Sequence, residues 1–253
     1  MEVHHHSHTA DPDSHRGKKK WTHYLWEFLM LFFAVFCGFL AENQREHLVE
    51  HQREKQYMRS MVEDLMLDTA EFNSKLTFID TAMIPFFLAS KELLYSQQIS
   101  DSVIRKLYVN VPRCSRFFYL NVEDRTINQL KSSGNFRLVR NKTVTDSLIA
   151  YRKRIDLLNN TLLPGYELSR IEVKNISYSL FNFDYYKENG YFVLKDNVSP
   201  KLNSIDKKEF IKLANFIYNL YTQANTPIRA SLIQARRQAT NLIMLINENY
   251  HIK

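Results

Sequence analysis

Glycine and proline are scarce in this chain, which has five Gly and six Pro among its 253 residues. Architectures rich in β-turns need more of both, because these residues set most tight turns. Cysteine is scarcer still, with Cys37 inside an apolar run and Cys114 far downstream. The part of the chain behind that run therefore has no pair of cysteines to oxidise. These shortages favour an all-α fold that no internal disulfide stabilises.

Sequence motifs of several common enzyme classes are also missing. The chain has no glycine loop of the kind that cradles phosphate, no C-x-x-C pair and no G-x-S-x-G segment. Nucleotide, redox and serine-hydrolase chemistry therefore have no support in the sequence. We expect a non-enzymatic protein without a cofactor.

One long hydrophobic run lies near the N-terminus. Residues 24–41 read YLWEFLMLFFAVFCGFLA and carry a single charge, Glu27. As a helix this segment would be about 27 Å long, close to the thickness of the hydrocarbon core of a bilayer. Trp21, Tyr24 and Trp26 lie at its front edge, where aromatic residues meet lipid head groups, and Glu27 is close enough to reach that edge. The run predicts a transmembrane helix, which makes the lipid bilayer the first expected partner.

The residues on either side of this run predict whether it is cleaved and how it is oriented in the membrane. No A-x-A cleavage pattern follows it, so we expect it to remain in place as a signal anchor. Arg16 and residues 18–20, all lysine, adjoin it on one side, whereas Arg45, Arg53 and Lys55 on the other side are mixed with acids. Since Lys and Arg concentrate on the cytoplasmic side, the N-terminus is expected in the cytoplasm and the main domain outside it.

A long stem helix is predicted behind the anchor, because residues 42–81 contain no Gly or Pro. Mostly apolar residues recur there at helical spacing, and the stripe comprises Met58, Val62, Leu65, Thr69, Phe72, Leu76 and Ile79. A short coiled coil and one helix of a bundle both fit this stripe. Asp68 and Lys75 fall on core positions of a strict zipper, which favours the bundle.

Further helical patterns follow the stem, which Pro85 is expected to bend or end. They lie at about 86–98, 101–110, 123–133, 143–163, 165–181, 205–224 and 227–249. The sequence thus predicts four segments: a basic, His-rich tail at 1–23, a transmembrane helix at 24–41, a stem helix at 42–84 and a helical domain packed with the stem at 85–253.

Local signals mark several ends of these helices. Ser100 is suited to cap the start of one helix and Gly134 to close another, whereas Thr226 and Pro227 together predict the start of the last one. One small β-hairpin fits residues 181–197, where aromatic runs flank an Asn-Gly turn.

Candidate metal ligands occur in the N-terminal tail. His4, His5, His6 and His8 supply enough imidazole groups to hold Zn²⁺, Ni²⁺ or Cu²⁺. The alternative is a simple spacer that binds no metal in the cell. A functional site predicts stoichiometric metal on purification and its loss when these four histidines are replaced.

The stem also contains a literal H-x-x-E-H motif, formed by His47, Glu50 and His51. Two histidines one helical turn apart can bind zinc, and the glutamate can act as a base. The surrounding charged residues indicate a solvated helix face rather than a catalytic cleft. A zinc-dependent hydrolase that uses these three residues is therefore a remote alternative to a solvated helix face.

Three segments resemble a known family. They are MEVHHHSH with KKKWTHYLWEFLMLFFAVFCGFLAENQREH, the stem EKQYMRSMVEDLMLDT, and the internal INQLKSSGNFRLVRNKTVTDSLIAYRKRI. Together they resemble an uncharacterised family of bacterial single-pass membrane proteins, a domain of unknown function. The resemblance implies a bacterial inner-membrane protein with an N-terminal anchor, so that the main domain would be periplasmic. It implies no activity, substrate or site residue.

These features predict a non-enzymatic interaction, scaffold or sensory module of the cell envelope. Metal handling by the His-rich tail is the first alternative. Because only the tail at 1–23 is expected in the cytoplasm, any signal would pass through a partner such as another membrane or envelope protein. No nucleic-acid binding is indicated, and the sequence does not set the oligomeric state.

Overall fold

The computed structural model describes residues 21–96, 98–188 and 192–252. Regular structure in this part of the chain is helical, and it contains no strand beyond two isolated antiparallel bridges. The α-helices are α1 (Trp21–Phe78), α2 (Ile84–Leu94), α3 (Asp101–Cys114), α4 (Arg125–Ser132), α5 (Lys142–Leu157), α6 (Leu163–Leu180), α7 (Lys207–Gln223) and α8 (Arg229–Tyr250). The predicted all-α fold, with a long N-terminal helix followed by a helical bundle, is confirmed.

Two compact units divide the chain, Met1–Gln52 and Arg53–Lys253. The described part of the first unit is the N-terminal portion of α1. It contains an 18-residue helical stretch that is long and apolar enough to cross a membrane. None of these residues is buried inside the protein. Phe28, Phe32 and Phe36 stack one turn apart along it, with ring centroids separated by 6.3 and 5.8 Å. A helix of membrane-spanning length near the N-terminus is therefore present, as predicted.

Three π-helical segments join helices end to end in the second unit. They are Ile79–Met83 between α1 and α2, Leu158–Leu162 between α5 and α6, and Ala224–Ile228 between α7 and α8. A proline lies within or just after each of them, namely Pro85, Pro164 and Pro227. Proline lacks an N–H group and its ring clashes with the carbonyl one turn back, so a wider turn accommodates it inside a helix.

This arrangement corrects one prediction made from the sequence. Thr226 does not cap a new helix, because it lies within the π-helical segment and the chain passes from α7 into α8 without leaving helical conformation. The other two end signals are confirmed. Ser100 Oγ accepts a hydrogen bond of 3.4 Å from the Val103 N–H at the start of α3, and Gly134 has a φ of +66° just after α4.

The second unit is a bundle whose helices pack in antiparallel pairs. α6 packs against α7, α2 against both α3 and α7, and α5 against α8. Hydrogen bonds from Arg236 to Asn73 (2.7 Å) and from Arg229 to Asp80 (3.0 Å) place α8 antiparallel to the end of α1. The predicted stripe runs along α1 into the π-helical segment that follows it. It forms part of the core, since six of its seven members are buried: Met58, Val62, Leu65, Phe72, Leu76 and Ile79.

A row of carboxylates on α1 binds the chain between α3 and α5. Each carboxylate accepts a hydrogen bond from a backbone N–H of that segment. The pairs are Glu71 with Asn121 (3.1 Å), Asp68 with Glu123 (2.7 Å), Asp64 with Thr126 (3.0 Å) and Glu54 with Arg140 (2.8 Å). Asp68 lies at a core position of the stripe and binds a non-helical segment there. A coiled coil would have no such segment to bind.

Residues 181–197 turn back on themselves, but less regularly than a hairpin. Tyr186 and Leu194 form one isolated antiparallel bridge. Two backbone hydrogen bonds of 2.8 Å flank it, from Lys187 N–H to the Val193 carbonyl and from Lys195 N–H to the Tyr185 carbonyl. The predicted turn at Asn189-Gly190 lies outside the described residues. The short 3₁₀ turn Phe183–Tyr185 limits the pairing to this bridge.

Candidate functional site

A cleft of about 410 Å³ lies in the second unit, beside α3 and α6. Three segments of the chain build it: the end of α3 with the residues after it, one face of α6, and the irregular segment between α6 and α7. Its lining residues are Pro112, Ser115, Phe117, Arg170, Lys174, Ser177, Tyr178, Phe183, Tyr186 and Phe192. Five of these ten are aromatic, two are cationic and none is acidic. Concave sites with mostly apolar walls and a few polar groups are the usual form of a small-molecule site.

One face of α6 supplies both cations of the cleft. Arg170, Lys174, Ser177 and Tyr178 are spaced four, three and one residues apart, which places them on a single helix face. The Ser177 hydroxyl is buried and donates a hydrogen bond of 2.6 Å to the Val173 carbonyl of its own helix. The hydroxyl hydrogen of Ser177 is therefore already donated within α6. Arg170 and Lys174 are the residues that give the cleft its positive charge.

Arg170 joins α6 to the end of α3. Its Nε and Nη2 atoms bind the two carboxylate oxygens of Glu167 at 2.6 and 2.5 Å, and its Nη1 donates to the Ser115 carbonyl at 3.0 Å. Its guanidinium lies 5.5 Å from the centroid of the Phe117 ring. A bidentate pair of this kind fixes the side chain, so Arg170 forms a rigid wall whose charge Glu167 largely balances.

Lys174 is placed differently, although it lies one turn further along the same face. It is exposed, and its Nζ lies 5.6 Å from the centroid of the Tyr178 ring. No acidic residue of the described chain forms an ion pair with it. Lys174 thus supplies an unbalanced positive charge beside the aromatic walls.

The opposite wall of the cleft belongs to the segment after α6, which Tyr108 of α3 holds in place. The buried Tyr108 phenol donates a hydrogen bond of 2.7 Å to the Lys201 carbonyl and accepts one of 2.9 Å from the Asn182 N–H. Tyr186 donates from its hydroxyl to the Tyr108 carbonyl at 2.7 Å. Burial raises the pKa of Tyr186, with the neighbouring Tyr108 adding to the effect, so Tyr186 stays a neutral donor. These bonds pin both ends of the segment against α3.

Aromatic rings form a continuous row that runs from Tyr178 of α6 into this wall. Phe183 lies 5.2 Å from Tyr178 and 5.5 Å from Tyr186 between ring centroids, and Tyr186 lies 5.7 Å from Phe192. Phe192 has a φ of +56°, a left-handed conformation that costs a bulky side chain on the order of 1 kcal/mol. Packing of its ring into the row holds this unfavourable backbone. Strain of this kind concentrates at binding sites.

A second cavity of about 610 Å³ lies between the end of α2 and the start of α7. Its walls are largely aliphatic, including Leu94, Ile205 and Ile211, and Lys207 is its single cation. The cleft beside α6 differs from it in having two cations and five aromatic residues in its lining. We therefore treat the aromatic cleft as the candidate site.

The sequence-predicted metal ligands of the tail, His4, His5, His6 and His8, lie outside the described residues. The H-x-x-E-H residues of the stem, His47, Glu50 and His51, lie on α1 in the first unit, where both histidines are exposed. Within residues 21–96, 98–188 and 192–252, no group of three or more His, Cys, Asp or Glu side chains could hold a metal ion. The motif therefore gains no further ligand in that part of the chain, and the structure adds no support for the hydrolase alternative.

Sequence reasoning missed the aromatic cleft. Its residues come from segments about 60 residues apart, at 112–117 and 170–192, and no short motif joins them. The spacing of Arg170, Lys174 and Tyr178 was the one local signal. It indicates a shared helix face but not what that face adjoins.

Comparison of the chain with protein-family models, with curated proteins and with solved structures gives no match. The interpretation of the cleft therefore depends on its own geometry and chemistry.

Proposed function

We propose that this protein is a single-pass membrane-anchored module of the bacterial cell envelope that binds a ligand or partner without catalysis, as a sensor or scaffold. The observation that carries the proposal is the aromatic cleft of the second unit. Among the described residues, its lining contains no His, Cys, Asp or Glu to activate a nucleophile, and the Ser177 hydroxyl is bound to its own helix. Such a lining suits binding better than bond cleavage.

The N-terminal part of the chain supports the proposed location. A helix of membrane-spanning length lies near the N-terminus, and the basic residues that precede it favour a cytoplasmic tail. The resemblance to bacterial membrane-anchored proteins supports the inner membrane as the site of anchoring. In this orientation the cleft faces the periplasm, where it would meet envelope components and small molecules that cross the outer membrane.

Membrane topology is tested by thiol labelling in the full chain. Cys114 is a poor reporter, because it is buried and burial raises the pKa of its thiol to about 12. Lys212→Cys, on the exposed face of α7, supplies an accessible thiol when it is combined with Cys37→Ala. A membrane-impermeant maleimide added to intact spheroplasts is expected to label Lys212→Cys, whereas Cys114 should react only after denaturation.

The matched control places the reporter thiol in the N-terminal tail, on the opposite side of the membrane. Ser7→Cys in the same Cys37→Ala background is expected to stay unlabelled until the spheroplasts are lysed. The reverse pattern would overturn the orientation and place the cleft in the cytoplasm. Release of the protein from membranes by alkaline carbonate would contradict the anchor itself.

A further inference from the structure

We propose that the cleft between α3 and α6 binds small aromatic monoanions, with their ring against the aromatic wall and their carboxylate at Lys174. This inference rests on the proposed function, because it names the ligand class of that same site. The two are nevertheless tested separately, since binding to the cleft can be measured whichever side of the membrane it faces.

The walls of the cleft favour a flat ring as the body of the ligand. Tyr178, Phe183 and Tyr186 form a row in which neighbouring rings are inclined by 67° and 51° to one another. Rings inclined in this way present both faces and edges to the space between them. An aromatic ligand can therefore make edge-to-face contacts with one ring and offset-stacked contacts with the next.

The charge of the cleft favours an anion. The described residues of its lining include two cations and no carboxylate. Glu167 already binds Arg170 through both carboxylate oxygens, whereas Lys174 forms no ion pair within residues 21–96, 98–188 and 192–252. A single unbalanced ammonium group at the edge of an aromatic wall matches a ligand with one negative charge at the edge of a ring.

Volume limits the size of the ligand. About 410 Å³ falls at the lower end of the range of 300–1,000 Å³ that is typical of small-molecule sites. One or two fused rings with a carboxylate fit such a space. An extended peptide or a lipid with two acyl chains would not be enclosed by it.

The test uses 2-naphthoate as the probe and the full chain in lipid nanodiscs, with empty nanodiscs as a blank. Its neutral amide, 2-naphthamide, has the same rings and lacks the charge. Calorimetric titration is expected to give a Kd of about 1 mM or tighter for 2-naphthoate, at the binding energy per atom that is ordinary for small ligands. The amide is expected to bind at least about 5-fold more weakly, because it cannot form the charge-assisted contact with Lys174.

Two variants separate the charge from the rings. Lys174→Met should weaken 2-naphthoate at least about 5-fold and leave the amide unchanged. Tyr178→Ala, at an exposed position of the wall, should weaken both probes. Lys212→Met removes an exposed lysine that does not line the cleft, and it should bind 2-naphthoate as the unmodified chain does.

Three results would overturn the inference. They are the absence of 2-naphthoate binding, equal binding of the acid and the amide, and unchanged 2-naphthoate affinity in Lys174→Met. Octanoate that binds as tightly as 2-naphthoate would contradict the aromatic part of the ligand class. Each of these results would leave the proposed anchoring intact, because that is decided by labelling and extraction.

Discussion

The phenol of Tyr151 on α5 donates a hydrogen bond of 2.5 Å to Oδ2 of Asp68 on α1, and both side chains are buried. The other carboxylate oxygen accepts a hydrogen bond of 2.7 Å from the Glu123 N–H. Asp68 thus ties α1 to α5 and to the segment that precedes α4. Burial raises the pKa of Asp68 to about 6, although both hydrogen bonds act in the opposite direction.

This raised pKa predicts how stability depends on pH. The folded protein takes up a proton on Asp68 at about pH 6, whereas the unfolded chain does so only near its ordinary value of 3.8. Protonation therefore favours the folded state, and the contribution of Asp68 to the free energy of unfolding rises as the pH falls from 7 toward 4, by about 2–3 kcal/mol. Urea unfolding of the full chain in a non-ionic detergent, followed by circular dichroism at each pH, measures this change.

The variant that isolates this effect is Asp68→Asn, which cannot titrate. Its free energy of unfolding is expected to change less between pH 7 and pH 5 than that of the unmodified chain. Asp80→Asn, at an exposed carboxylate that pairs with Arg229, should keep the full pH dependence. Identical slopes for the unmodified chain and Asp68→Asn over this interval would show that Asp68 is not the titrating group.

How far the fold can be predicted from sequence is illustrated by two kinds of residue. Ser100 and Gly134 act on their own backbone or on residues within one turn, so the sequence identifies their roles directly. Asp68 and Glu54 act on partners 55 and 86 residues away. No local pattern indicates which segment they bind, so the sequence showed only that Asp68 is unsuited to a zipper.

Proline illustrates the same difference. Pro227 follows Thr226, and the pair is a common start of a helix. The helix nevertheless continues, because packing of α7 on α6 and of α8 on α5 holds the chain helical on both sides of a π-helical turn. Tertiary contacts decide between an end and a wider turn. For the same reason the aromatic cleft, whose walls come from three segments, could not be predicted.

Glu54 provides a second test of the buried carboxylates. Its Oε1 accepts hydrogen bonds from the Arg140 N–H at 2.8 Å and from the Tyr250 hydroxyl at 2.6 Å, at the end of α8. Tyr250→Phe removes one donor from a buried charged group while it keeps the ring. We expect the free energy of unfolding to fall by about 1.5–3 kcal/mol, as is usual for hydrogen bonds to charged groups.

Urea unfolding at pH 7 measures this loss, and Tyr218→Phe is the control. Tyr218 is exposed and its hydroxyl forms no hydrogen bond within the described part of the chain, so the same substitution there should change stability by less than about 0.5 kcal/mol. A loss in Tyr250→Phe no larger than that in Tyr218→Phe would mean that the Glu54 bond adds nothing to stability.

Replacement of two glycines by alanine is expected to change the stability of the protein in opposite directions. Gly134 has a φ of +66° and nothing within 4 Å of the position of a Cβ atom, so Gly134→Ala pays only for backbone strain. That cost is about 1 kcal/mol of destabilisation. Gly165 lies in α6, where an added Cβ would meet Gln223 Oε1 at an ordinary distance of 3.7 Å. Gly165→Ala is expected to stabilise the protein by about 0.5–1 kcal/mol.

Thermal unfolding of the two variants, side by side with the unmodified chain, gives the comparison. Gly134→Asn serves as a control, because asparagine tolerates left-handed backbone better than alanine does and should lose less stability. Equal melting temperatures for Gly134→Ala and Gly165→Ala would contradict the backbone conformation assigned to Gly134.

Tyr108 holds the segment between α6 and α7 in place and thereby shapes one wall of the cleft. Its hydroxyl binds both Lys201 and Asn182, the two ends of the segment that carries Phe183 and Tyr186. Tyr108→Phe removes both hydrogen bonds and keeps the ring, so the segment should open locally while the rest of the bundle stays folded. Since each of the two hydrogen bonds contributes about 1 kcal/mol, their combined loss of about 2 kcal/mol should make amide exchange at Asn182 about 30-fold faster. Binding of 2-naphthoate should become weaker, with exchange in α5 and α8 unchanged. Tyr185→Phe is the control, since this phenol lies in the same segment and forms no hydrogen bond with any described residue. It should leave the exchange rate and the 2-naphthoate affinity as they are. Unchanged exchange at Asn182 in Tyr108→Phe would show that packing of the aromatic rings alone holds the wall of the cleft.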